Sequence, residues 1–413
     1  MRIVHVITLL FALAVVSACS KKARPTTPAN PPLTPAQMAD DLDALVNILT
    51  TKHGNPYHTV SKAEFDARVT RIRARLPDLD AYAMQAAFLR LAAGVGDAHT
   101  TVQLSPDMPY VPIRLYWFAD GLRVVRAHPR YAALLGARVT GIGGMSIEQA
   151  LARMEVFRAR AEPVWAWRTL APYRLVRPAL LREAGVINAA DATWTFERTD
   201  GKNVTQQLET NAQPADDWPV LGQRLPAYLQ RPNEGLWWAW LPNTNRLYVN
   251  WRSYENIARH WNRLLRELDA KRPDQLVIDL RDNGGGNYKV GRRVVLASLR
   301  RRPWLNTAGR LTVLIGRATF SAAMVNAIDF RTMTRATLVG EPIGERPNSW
   351  QESRRYRLPN SGLRVSVSTR FYRFLPGDPD AVAPNRFVEE DWRDRARGCD
   401  TVLMSVAKIC SPE

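Results

Sequence analysis

Two short stretches of this chain hold residue types that could carry out nucleophilic chemistry. The first, LVIDLRDNGGGN at 276–287, closes an apolar run at Asp279 and then sets three glycines in succession. Glycines there let the backbone turn sharply and aim N–H groups inward, which suits an anion or the oxyanion of an attacked carbonyl. The stretch lacks the Gly-Lys-Ser/Thr ending of a phosphate loop and fits no dinucleotide fingerprint, so a plain tight turn is the competing reading. The second, RLTVLIGRATFSAAMVNAIDF at 310–330, carries Ser321 where a strand over 311–316 gives way to a helix. A serine at a helix start is commonly an N-cap. The helix dipole and the Ala322 N–H would also stabilise negative charge on a carbonyl attacked by Ser321.

A serine nucleophile needs a proton acceptor, and the sequence after Ser321 offers little. Its only lysine is Lys408, and no histidine follows His260. Upstream, His99 in GDAHT has a side chain whose ordinary pKa suits a general base. Asp97, two residues earlier, would share its face on a strand and could orient the imidazole. Read on its own, His99 fits equally a turn histidine bonded to backbone. Lys289, close behind the glycines, is the reserve base, with a solvated lysine at a helix start as its alternative. His53 and His58 in HGNPYH are assigned to an interhelix turn, His128 to a loop before Pro129 and His260 to an amphipathic helix.

These residues need a scaffold, and the chain changes pattern along its length. Thr34, Pro35 and Gln37 form a capping box with a proline start, and Met38, Leu42, Leu45, Val46 and Leu49 follow a helical stripe. Ser61 with Glu64 opens a second helix, and a third runs from about Asp80 to Gly94. Short β runs, VPIRLYW, LRVVRA, ARVTGI and ATWTFER, occupy 110–210 and are split by one or two helices. From 236 onward, strands (RLYVNW, QLVIDL, RLTVLIG, ATLVG) alternate with helices, the pattern of an α/β core with a largely parallel sheet. Trp165 with Trp167, and Trp237, Trp238 and Trp240, could floor a groove, although aromatic core packing is the commoner use.

With both motifs present, the chain resembles the carboxyl-terminal-processing, or tail-specific, serine peptidases, including their tricorn-like and retinoid-binding-protein-like members. DLRDNGGG matches their Asp-Leu-Arg-x-Asn-x-Gly-Gly, TFSAA their nucleophile segment and VGEPIGERPNS the loop that follows it. HGNPYHTVSKAEFDARV and LAAGVGDAHTTV extend the likeness to the N-terminal helices, and LLGARVTGIGGMSIEQAL to the end of a PDZ-like module. The resemblance implies an α+β multidomain chain: a helical bundle over 34–100, a PDZ-like β module over 101–215 and an α/β core of crotonase or Clp-protease type over 216–413. It implies Ser321 as nucleophile, with the backbone N–H groups of Gly285, Gly286 and Ala322 as oxyanion hole. In one branch of the family the base is a lysine 25 residues after the serine. That position is Arg346 here, and arginine cannot accept the serine proton. His99 matches the histidine of the tricorn-like branch, so the expected set is Ser321, His99 and Asp97. Asp378 or Asp380 stands where a further carboxylate of the family falls, although APNRF departs from the family's Pro-Asp there. Arg346 could bind a substrate carboxylate or pair with Glu345 or Glu341. The rival expectation is an inactive relative that binds peptides or apolar ligands.

Composition bounds the partners. The chain has 413 residues, a formal charge of +18 and 46% hydrophobic content, so it is a globular protein rather than a disordered one. Its arginines are interspersed with carboxylates and accompany no zinc-finger spacing or basic tail, which argues against a nucleic-acid binder. No metal or organic cofactor is implied, the expected partner is a peptide or protein substrate, and the oligomeric state is left open. MRIVHVITLLFALAVVSACS reads as an export signal over 1–18 whose VSAC resembles a lipobox, with an ordinary secretory signal as the alternative. The expectation is a chain lipidated at Cys19, tethered by the proline-rich 19–33 and held on the periplasmic face of a bacterial membrane, the outer one by virtue of Ser20. Cys399 and Cys410 remain, and in an exported chain suggest a disulfide, with two free thiols as the alternative.

Overall fold

The structure is a computed structural model that describes residues 32–188, 192–210, 217–222 and 224–410. The expected signal peptide, Cys19 and nearly all of the tether lie outside the described residues. Among the described residues, no helix is long and apolar enough to cross a membrane.

Three helices open the fold: α1 (Pro35–Lys52), α2 (Lys62–Arg75) and α3 (Ala81–Ala93). The Thr34–Gln37 capping box forms in full, Ser61 accepts the Glu64 N–H, and Asp80 caps α3 through the N–H groups of Tyr82 and Ala83. Their apolar stripes do not close a core alone. Leu358, Leu363, Val365 and Val367 complete it from a hairpin of strands Asn348–Arg357 and Arg364–Arg373. Buried Asp41 ties the hairpin turn to α1, accepting the N–H groups of Asn360 and Ser361 at 2.8 Å each. The short strand Thr101–Val102, just after His99, pairs with the hairpin's second strand.

The middle of the chain builds an antiparallel sheet from Ile113–Phe118, Gly121–Ala127, Arg138–Ile142, Thr193–Glu197 and Asn203–Gln207. Helices Ile147–Met154, Val164–Leu175 and Pro178–Glu183 contribute to its core, which is centred on Trp167, Trp194 and Phe196.

The C-terminal part holds a six-stranded sheet in the order Arg386–Phe387, Thr337–Gly340, Leu311–Ile315, Gln275–Asp279, Arg246–Trp251, Leu236–Trp240. All neighbours run parallel except the last pair. Its inner strands are buried almost throughout and largely apolar because both faces are covered, as a parallel sheet requires. Strand Gln275–Asp279 lies beside Leu311–Ile315, so the loops that leave their C-terminal ends, carrying the glycines and Ser321, emerge side by side. That edge is where open α/β sheets carry their sites. The tryptophans serve packing: Trp237 is buried, and Trp238 and Trp240 donate to Glu267 at 2.9 and 2.6 Å. Cys399 and Cys410 form a disulfide.

Candidate active site

Ser321 stands at the N-cap position of the helix Ala322–Met333, but its side chain caps nothing. Its backbone is held at φ 55°, ψ −121°, a conformation that costs a non-glycine residue roughly 1–3 kcal/mol. Such a turn between strand and helix thrusts the hydroxyl outward, as a nucleophile requires. Several bonds fix it. The Phe320 N–H donates to the Asn283 carbonyl at 3.0 Å, and the Thr319 hydroxyl donates to the Leu280 carbonyl at 2.8 Å. Gly285 lies so close beneath that a Cβ there would stand 2.7 Å from Ser321 Cβ, and its φ of +100° also favours glycine.

The glycine loop is anchored from below. Arg281, buried, is held by Asp279 and by Asp400, with Nη2 2.6 Å and 2.7 Å from their carboxylates. Asp400 in turn sits beside the disulfide, its N–H donating to the Cys410 carbonyl at 2.8 Å. Asn283 gives its amide to the Trp251 carbonyl and takes the Gly285 N–H at 2.9 Å. The Gly285 N–H is therefore occupied in this conformation and does not face a ligand, a departure from its expected place in the oxyanion hole. Those of Gly286 and Ala322 have no acceptor among the described residues.

His99 comes to this serine from the far end of the chain. Its ring stacks on Phe320, the residue before Ser321, with centroids 4.5 Å apart and planes 26° apart. Its Nδ1 lies 3.5 Å from Glu345 Oε1, and the other oxygen of Glu345 accepts the Ser321 N–H. Neither His99 nitrogen is hydrogen-bonded, and the ring forms no bond to Ser321 Oγ in this conformation. Burial lowers the His99 pKa to about 4 against the opposing pull of Asp97, so the imidazole is neutral at ordinary pH. Glu345 is fully buried, and that burial, with Glu162 and Asp97 nearby, pushes its carboxyl well above the usual range.

Asp97 behaves differently from expectation. Residues 97–100 form a turn, not a strand, so the shared-face argument does not apply. The carboxylate accepts the N–H groups of His99 and Thr100 at 3.0 and 2.8 Å, the Ser368 hydroxyl, and His53 Nε2 at 2.9 Å. It shapes the turn that carries His99 and leaves the His99 ring to Glu345. Burial alone would raise its pKa, but the bonds from His53 and Ser368 outweigh it and hold the group below the usual carboxylate range. His53 lies in the interhelix turn, yet it is buried as the partner of Asp97.

Arg346 turns away. Its Nη2 lies 3.3 Å from Asp378 and 3.1 Å from Asp380, neither Glu345 nor Glu341 pairs with it, and Glu341 is taken by Arg317. Asp378 and Asp380 are thus partners of an outer ion pair, and the carboxylate beside His99 is Glu345. Lys289 is exposed on the short turn Tyr288–Gly291. Sequence reasoning weighed Glu345 only as an ion-pair partner. The available signal was its place, one residue before the position where the lysine branch has its base. Among the described residues, no group of three or more His, Cys, Asp and Glu side chains is arranged to hold a metal ion.

Residues 245–310 match the family model described as Peptidase family S41, a segment that includes the glycine loop and stops short of Ser321. No curated protein sequence matches the chain. Among solved structures, mature CPAF is similar at a TM-score of 0.57 and 13% identity, over 88% of this chain and 95% of that one. Mature CPAF complexed with lactacystin is similar at 0.57 and 12%, over 88% and 96%. The photosystem II D1 C-terminal processing protease aligns at 0.42 and 14%, over 92% and 98%, and the fold likeness rests on the first two. The likeness to Peptidase family S41 therefore holds in sequence over residues 245–310, and in fold the chain is similar to mature CPAF over most of its length.

Proposed function

We propose that this chain, S41-like in its glycine-loop segment and in its fold, is a serine-type peptidase in which Ser321, His99 and Glu345 act together. Ser321 Oγ attacks a peptide carbonyl while His99 takes its proton, giving a tetrahedral intermediate whose oxyanion faces the Ala322 and Gly286 N–H groups. The intermediate collapses to an acyl-enzyme as His99 returns the proton to the departing amine, and water then releases the acyl group. Glu345, beside Nδ1, stabilises the positive charge that His99 gains. That charge draws the raised Glu345 pKa back down, so the two groups change ionisation together.

One observation carries the reading. The His99 ring lies between Phe320 and a buried carboxylate that also holds the Ser321 backbone. In this scheme the ring turns within that frame to bring Nε2 to the serine, and such bonds tighten when substrate arrives. The antiparallel module over 113–207 serves in this proposal as the PDZ-like holder of a peptide chain. The chain works at a periplasmic membrane surface, anchored by lipid on Cys19, and metabolic labelling with a fatty acid, lost in Cys19→Ala, tests that part.

Fluorophosphonate labelling of the wild type and Ser321→Ala tests the activity. The wild type is expected to label and Ser321→Ala not to. Equal labelling of the two sinks the hydrolase reading.

A further inference from the structure

Glu162 has no part in the scheme above, yet it is buried at the junction of the segments that bring His99 and Glu345 together. It lies in a bend just before the helix Val164–Leu175, in the middle module, and is 4% exposed. One carboxyl oxygen accepts the Ala98 N–H at 3.2 Å, and the other accepts the Arg346 N–H at 3.0 Å. Ala98 directly precedes His99, and Arg346 directly follows Glu345.

The same bend holds both segments in other ways. The Ala161 N–H donates to the Gly96 carbonyl at 2.9 Å, while the Ala161 carbonyl accepts Arg346 Nη1 at 3.3 Å. Gly344 packs against Ala166 so closely that a Cβ there would lie 3.2 Å from the Ala166 backbone. A helix of the middle module thus abuts the loop that carries Glu345.

We propose that Glu162 is a positioning residue, whose carboxylate pins the His99 turn to the Glu345 loop and sets the spacing of that pair. The inference rests on the reading of Ser321, His99 and Glu345 as one reacting unit. A carboxylate bonded through both oxygens to N–H groups does this only when ionised, because the protonated form has an O–H in place of one acceptor. Burial raises the Glu162 pKa to about 7, so the clamp engages as pH rises through that value. The groups around it are Asp97, His99, Glu345 and Arg346, with His58, Arg160, Arg373 and Asp378 across a cavity of about 490 Å³. Of these, Asp97 stays ionised and His99 and His58 have lowered values. The Glu345 carboxyl is raised like that of Glu162, so the Glu162→Gln profile is what assigns the rise to Glu162 and not to Glu345.

The test is the rate of fluorophosphonate labelling of the full chain from about pH 5.5 to about pH 8.5. Wild type is expected to show a rise through about pH 7. Glu162→Gln, with one acceptor and a clashing amide, is expected to label roughly tenfold more slowly at the alkaline end and without that rise. Glu162→Asp keeps the charge but cannot span both N–H groups, so it should label slowly with a rise retained. A wild type that is flat across the range overturns the inference, even if Glu162→Gln fails to fold. So does a Glu162→Gln profile that matches wild type in rate, or that is slower with the rise intact. Failure of the underlying reading looks different: Ser321→Ala then labels as wild type does.

Discussion

The two halves of the candidate site are built in opposite ways. The nucleophile half lies on adjacent parallel strands, Gln275–Asp279 and Leu311–Ile315, whose loops are fixed by short-range bonds among Asn283, Thr319 and Phe320. The proton-handling half comes from a turn near residue 99 and a loop near residue 345, joined by buried carboxylates. In the first half the sheet dictates position. In the second, several buried ionisable groups lie together, and their charge states depend on one another. A site made this way has a nucleophile that is hard to displace and a base that is easy to detune.

Substitutions can break that contrast. His99→Ala should have the largest effect, a loss of roughly a hundredfold to ten-thousandfold in labelling rate, because it removes the proton acceptor of the proposed scheme. Gly285→Ala attacks the sturdier half. The new Cβ meets Ser321 Cβ at 2.7 Å in a left-handed backbone, and labelling should fall by about a hundredfold with a lowered unfolding temperature. Arg346→Lys should have the smallest effect, within about threefold, since the side chain faces exposed Asp378 and Asp380 and such pairs contribute about 0–1 kcal/mol. A marked gain in labelling would mean that a lysine there can reach Ser321, contrary to the geometry.

The ionisable half also predicts an acid response. The His99 pKa falls from 6.5 unfolded to about 4 folded, so between those values the unfolded chain binds a proton that the fold does not. Stability should therefore drop as pH falls through that window, by up to roughly 3 kcal/mol from this group. Chemical denaturation of His99→Ala should lack that part of the decline.

What the sequence disclosed divides along the same line. The inner strands, the capped helices and the glycine and serine loops were legible because each is specified by local chemistry: apolar runs, caps and turn residues. The hairpin over 348–373 was not, because NSWQESRRYR has no clean apolar alternation and takes its stability from pairing and from the face that covers α1. The place of Asp97 was not legible, because a two-residue spacing suggests a shared strand face where the chain makes a turn closed by its own carboxylate. Glu345 was legible only as an ion-pair partner for Arg346, and Glu162 not at all, because its partners lie 64 and 184 residues away and leave no local mark.

The central claim is that His99 and Glu345 serve Ser321 as one unit. Labelling rates of His99→Ala, Glu345→Gln and the double variant test it most directly. The account predicts that Glu345→Gln alone slows labelling by about tenfold or more and that the double variant is no slower than His99→Ala, because groups acting as a unit are not additive. A double variant slowed by the product of the two single effects would contradict it.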